Sequence, residues 1–179
     1  AVYTAGGNFA TSTGTLSGGQ TVNQAATATS LSSSTNPSTY SQTVVFTATV
    51  TSGAGTPTGN VQFKVDSLAF GSPVALSSGK AALSTDVLSA GSHTISAEFI
   101  TGGNYLGSTG ALAGGQNVSP ASTALGLESS FNPSGFGQMV VFTATVTASG
   151  GTIGGSVQFS IDAAAFGSPV TLSGGKASI

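Results

Sequence analysis

Few side chains in this 179-residue sequence could do acid–base, nucleophilic or metal chemistry. The acids are Asp66, Asp86, Glu98, Glu128 and Asp162; the cations are Lys64, Lys80 and Lys176; the single histidine is His93; cysteine is absent. Glycoside hydrolysis needs two carboxyl groups facing each other across a cleft. Asp66 and Asp162 occupy the same position in two copies of a repeat described below, one domain length apart, so they do not pair within one copy. Both follow a strand and precede a turn, where aspartate caps turn amides. A calcium site needs six or more oxygen ligands, several of them carboxylates, and this neighbourhood offers one acid. His93 shares its parity with Ile95 and Ala97, which places it at the rim of the core where a strand starts. A zinc site or a catalytic triad needs partners for it that the sequence does not reveal. Without cysteine there is neither a disulfide framework nor a thiolate nucleophile.

The remaining candidates read as structure. Lys80 and Lys176 each follow a glycine and are expected as solvated hairpin residues. Lys64 points outward by parity and is replaced by Ser160 one repeat later, so it is a poor candidate for an isopeptide, which requires a buried lysine of shifted pKa. Gly18-Gly19 and Gly114-Gly115 precede no helix and are not phosphate loops. Asn117-Val118-Ser119 has the form of an N-glycosylation sequon, with Pro120 after it, and the many Ser and Thr could carry O-glycans on composition alone. No catalytic, cofactor-binding or metal residue is expected, and the chain is not read as an enzyme.

The elements that must carry these residues are short strands. Charged residues make up 4% of the chain, against about 25% in an ordinary soluble domain. With three basic residues no basic patch can form, so nucleic acid is not an expected partner. No run of about 18 apolar residues occurs, so no membrane-spanning helix is expected. No basic segment with an apolar core opens the sequence, which is read as starting within a mature region. Val, Thr, Phe and Ile recur in short alternating runs between Gly, Pro, Asn and Ser, which argues for strands and turns rather than disorder.

The chain repeats itself. Val44–Thr51 returns unchanged as Val140–Thr147, Asn36-Pro37-Ser38 as Asn132-Pro133-Ser134, and Phe70–Val74 as Phe166–Val170, always 96 residues on. Without a gap, 48 of 83 positions are identical at that offset. A period this long is a whole small domain rather than a solenoid turn of about 20–50 residues. The expected organisation is therefore residues 1–24 as the C-terminal strand or strands of a preceding module, 25–120 as a complete module, and 121–179 as the N-terminal part of a following one.

Strands are expected at Thr27–Ser33, Thr43–Thr51, Gly59–Val65, Phe70–Leu76, Lys80–Thr85, Ser92–Phe99 and Ser108–Val118. Period-two alternation puts Val44, Phe46, Ala48 and Val50 on one face, and likewise Val61, Phe63 and Val65, and Ile95, Ala97 and Phe99. Turns are expected at Asn36-Pro37-Ser38, Gly53–Pro57, Ser78-Gly79 and Gly102-Gly103-Asn104. The fold class is all-β: tandem immunoglobulin-like β-sandwich modules with a 96-residue period. Its core is expected to rest on Phe46, Phe63, Ile95 and Phe99, with Phe142 and Phe159 as counterparts in the next module.

Thr43–Val50, Pro57–Phe63, Leu88–Ile95, Gly102–Tyr105 and Ser108–Val118 together resemble the bacterial immunoglobulin-like repeat domains, group 3 type, of large surface or secreted proteins. The resemblance covers essentially the whole chain. It implies a β-sandwich, a secreted or cell-surface location, and a spacer, stalk or fibre role without catalytic residues.

The expected function is structural, with other modules or copies of itself as partners and no cofactor. Tyr40 and its counterpart Phe136, and Phe9 and its counterpart Tyr105, recur beside turns and are expected at contacts between modules. Leu16 and Val22 have nothing to pack on within residues 1–24 and could complete another copy, as a donor strand does. An adhesin-type module binding glycan or a host surface is the alternative.

Overall fold

The computed structural model describes residues 1–101 and 103–179; Gly102, in the expected Gly102–Asn104 connection, lies outside them. The described residues contain strands, turns and no helix. In chain order the strands are β1 (Val2–Tyr3), β2 (Ser12–Thr13), β3 (Ala28–Ser33), β4 (Ser38–Thr39), β5 (Val44–Thr51) and β6 (Gly59–Val65). There follow β7 (Leu68–Ala69), β8 (Val74–Ala75), β9 (Lys80–Thr85), β10 (Gly91–His93), β11 (Ile95–Thr101), β12 (Ser108–Ala111) and β13 (Gln116–Ser119). The last are β14 (Thr123–Ser129), β15 (Phe142–Ala148), β16 (Ser156–Ile161), β17 (Ala164–Thr171) and β18 (Lys176–Ser178).

Residues 28–119 form a β-sandwich. One sheet has the order β3-β5-β9, a second β12-β11-β6-β7, with β8 also on β6, and a third, smaller one β10-β13-β4. The alternation in β5 buries Val44, Phe46, Ala48 and Val50, and β6 and β11 return Val61, Phe63, Ile95, Ala97 and Phe99 to the same core. Each fully buried Phe or Val contributes about 1.5–3 kcal/mol of transfer free energy. Two tight hairpins close the sheets with both central residues at positive φ: Asp66-Ser67 (49° and 70°) and Ser78-Gly79 (50° and 76°).

The structure divides three strands that alternation reads as continuous. Within Phe70–Leu76 only Val74–Ala75 is strand, because Gly71 takes a positive φ of 68° and Pro73 has no N–H to give a ladder. Ser92–Phe99 breaks at Thr94, where the chain leaves β10, paired with β13, for β11, paired with β6. Ser108–Val118 breaks at Gly114 and Gly115, both at positive φ, so β12 and β13 join different sheets. The turn segment at Ser38 also gains a strand: β4 runs parallel to β13, pairing Ser38 with Val118 and Thr39 with Ser119.

Residues 123–178 form two smaller sheets, β14-β15-β18 and β16-β17, around Ala144, Phe159 and Ala177. Residues 1–24 carry a short exposed hairpin, Val2 opposite Thr13 and Tyr3 opposite Ser12.

Candidate functional site

Two places bring chemistry-bearing side chains together. The first is at one end of the sandwich. The Asp66-Ser67 turn aims the Asp66 carboxylate at the break between β10 and β11. There Oδ1 accepts from the Thr94 amide at 2.8 Å and from its hydroxyl at 3.3 Å. Oδ2 lies 2.8 Å from His93 Nδ1. On the other side of the ring, His93 Nε2 is 3.0 Å from the Ser89 carbonyl oxygen and 3.4 Å from Ser89 Oγ. Asp66 therefore caps a strand break 28 residues away rather than the amides of its own turn.

These three residue types also make hydrolytic triads, so the protonation state decides what the cluster can do. A carbonyl oxygen only accepts, so Nε2 must carry a proton to bond Ser89, and Nδ1 must carry one to bond Asp66. The hydrogen bond to Asp66, then that to the Ser89 carbonyl, raise the His93 pKa above its ordinary 6.5. The bond from His93, then that from the Thr94 amide, lower the Asp66 pKa below 3.8. The pair is thus an imidazolium–carboxylate clamp tying three loops together. A general base would need the Nε2 lone pair turned to Ser89 Oγ, and the nearer carbonyl occupies that direction.

Among the described residues a second ionic contact joins Lys64 Nζ to Glu98 Oε2 at 2.7 Å, across the outer face of β6 and β11. Both side chains are partly exposed, and such a pair contributes about 0–1 kcal/mol. Among the described residues, no three His, Asp or Glu side chains gather where a metal ion could be held.

The second place is the junction between the sandwich and the strands that follow it. Tyr40 stands on a turn stitched by Gln42, whose amide N–H donates to Thr39 O at 2.9 Å while its side-chain Oε1 accepts from the Thr39 amide at 2.9 Å. The Tyr40 amide donates to Ser119 O at 2.8 Å, which fixes the turn to the end of β13. The ring lies over Gly151, where a Cβ would overlap its Cε1, and the Ser41 Cβ sits against Gly150. A cleft of about 330 Å³ opens beside this contact, between Tyr40, Ala90 and Pro120 on one side and Thr152 and Ile153 on the other.

The other aromatic candidates separate. Tyr105, expected between modules, packs against the core of its own sandwich, with its hydroxyl donating to Thr56 O at 3.3 Å. Phe9, Leu16 and Val22 are exposed, and Phe136 stands fully out in solvent. Phe46, Phe63, Ile95 and Phe99 are at most 2% exposed. Phe159 is 6% exposed and Phe142 is only partly buried.

Sequence reasoning missed Gln116, a buried amide with no exposed surface. Its Nε2 donates to Thr35 O at 2.9 Å and Ser38 Oγ at 3.1 Å, and its Oε1 accepts from Ser33 Oγ at 2.7 Å. Asn36 adds a bond from its Nδ2 to Gly115 O at 2.7 Å and accepts from the Asn117 amide at 3.0 Å. The available signal was that Gln20 and Gln116 are identical at the repeat offset.

No helix among the described residues is long and apolar enough to cross a membrane. Comparison with curated proteins and with solved structures gave no match. The family model for the bacterial Ig-like domain (group 3) matches residues 29–119, from β3 to the end of β13. That span holds the whole sandwich and covers just over half of the sequence, and the chain belongs to the bacterial Ig-like domain family, group 3.

Proposed function

We propose that this protein is a structural extracellular repeat whose Ig-like modules run end to end as a stalk, sheath or filament. The family supports a place in an extracellular surface protein. The observation that carries the reading is Tyr40 seated on Gly151, a contact from the end of one unit to a turn of the next. Pairing at the 96-residue offset supports it too. Ser33 opposite Phe46 has its counterpart in Ser129 opposite Phe142, and Glu98 opposite Thr109 in Val2 opposite Thr13. On this reading the chain divides at 1–24, 25–120 and 121–179.

With so few charges, neighbouring units would meet through backbone, hydroxyl and apolar contact rather than ion pairs. Electron microscopy of native material tests the reading: a fibre with one bead per 96-residue module is expected. Isolated particles that bind a glycan array would favour an adhesin instead.

A further inference from the structure

We propose that the junction between the sandwich and the strands after it binds a neutral oligosaccharide, with Tyr40 as the ring on which a sugar stacks. The site needs only this junction and goes beyond the fibre reading. A cleft of about 440 Å³ lies there. Thr39, Tyr40, Ser41 and Gln42 line it from the end of β4 and the turn after it, and Ser122 and Ser149 line it from the end of the β14–β15 ladder. Its size falls within the range of about 300–1,000 Å³ typical of small-ligand sites.

The chemistry of the cleft selects the ligand. Tyr40 stays 37% exposed despite its contact with Gly151. Gln42 spends its Oε1 on the Thr39 amide. Among the described residues, no hydrogen bond within the chain uses its Nε2, or the hydroxyls of Thr39, Tyr40, Ser41, Ser122 and Ser149. Each hydroxyl can both donate and accept, and the amide adds a donor. No acidic or basic side chain lines the cleft, so a phosphate or carboxylate would meet no countercharge there. An aromatic face ringed by neutral hydrogen-bonding groups matches a pyranose, which offers an apolar C–H face and a rim of hydroxyls.

The repeat shows that the fold does not require these hydroxyls. One repeat on, Thr39, Tyr40 and Ser41 are replaced by Gly135, Phe136 and Gly137; one repeat back, Ser122 and Ser149 are replaced by Ala26 and Gly53. All five hydroxyls are absent at the equivalent positions. Yet the turn at Phe136 is stitched like that at Tyr40: the Gln138 amide donates to Gly135 O at 3.1 Å and its Oε1 accepts from the Gly135 amide at 2.9 Å. Ser41 holds a φ of 65° where Gly137 has 78°, a conformation that a side chain disfavours and glycine adopts freely. A hydroxyl kept at a strained position, beside four others, points to use rather than to folding. The cleft side is also open in the sandwich itself: Ala26 and Gly53 are exposed, and a Cβ on Gly53 would meet nothing within 4 Å.

Titration calorimetry of the intact chain with neutral hexasaccharides of glucose and of N-acetylglucosamine tests the site, with hexagalacturonate and an uncharged Gly/Ser peptide as controls. Binding of at least one neutral sugar is expected, and of neither control. The triple change Thr39→Gly, Tyr40→Phe and Ser41→Gly installs the turn that the chain already builds at Phe136; it should keep the melting temperature and weaken binding about tenfold or more. Ser122→Ala with Ser149→Ala, which leaves the Tyr40 turn intact, should weaken it about fivefold. Unchanged affinity in both variants overturns the proposal, as does equal binding of hexagalacturonate. Binding of the peptide instead would assign the cleft to a protein partner and overturn it too. Absence of any sugar binding sinks the site and leaves the end-to-end function standing, whereas native material without beaded fibres sinks that function and leaves the site.

Discussion

His93 Nδ1 stands 2.8 Å from Asp66 Oδ2, joining the turn after β6 to the end of β10 across 27 residues of sequence. Its effect on stability has a definite sign. The raised His93 pKa stabilises the fold fully below the unfolded value near 6.5, and that contribution is lost as pH rises through the folded pKa. The lowered Asp66 pKa stabilises above its unfolded value near 3.8, and that contribution is lost as pH falls through the folded one. Melting temperature should therefore peak between about pH 4 and 6.5 and decline above it. His93→Gln should flatten the alkaline decline; an unchanged profile would refute the clamp.

Phe46 and Phe142 are the same residue at the repeat offset, one fully buried and the other partly covered. Phe46→Ala should cost about 3–5 kcal/mol in chemical denaturation. Phe142→Ala should cost clearly less, since less of its surface leaves water. Equal losses would mean that solution covers Phe142 as fully as Phe46.

Gln116→Leu removes the amide that serves Ser33, Thr35 and Ser38; the buried Ser38 hydroxyl loses that donor, while Ser33 Oγ keeps its bond to Thr35 O at 3.1 Å. The expected loss is about 1–3 kcal/mol by denaturant titration. A neutral result would show that water replaces the amide.

Gly151 and Gly155 both have positive φ, but only Gly151 lies beneath Tyr40. Gly151→Ala should change the radius of gyration by displacing the Tyr40 ring, and Gly155→Ala, with open space around it, should not. Small-angle scattering separates backbone strain, common to both, from the steric contact. A matching response from the two variants would remove the seat from the argument.

The sequence makes the buried faces legible because burial on one side of a strand imposes period-two alternation, as in Val44–Val50 and Val61–Val65. It does not show where a strand changes sheet. At Thr94 that choice depends on a carboxylate 28 residues earlier, and at Gly114-Gly115 on two positive φ values that glycine permits without requiring. The His93 clamp was hidden for the same reason: the residue types were visible and the turn that aims Asp66 was not. Tyr105 and Tyr40 looked alike as aromatics beside turns; only the packing separates the one on its own core from the one at the junction.

The parallel pairing of β4 with β13 bears on mechanics. Tension on the chain flanking the sandwich pulls these two strands past each other, so the bonds around Ser38–Val118 and Thr39–Ser119 are loaded in shear together instead of opening one by one. Single-molecule stretching should then meet a distinct force peak as the sandwich gives way, with a gradual low-force extension as the contrary result.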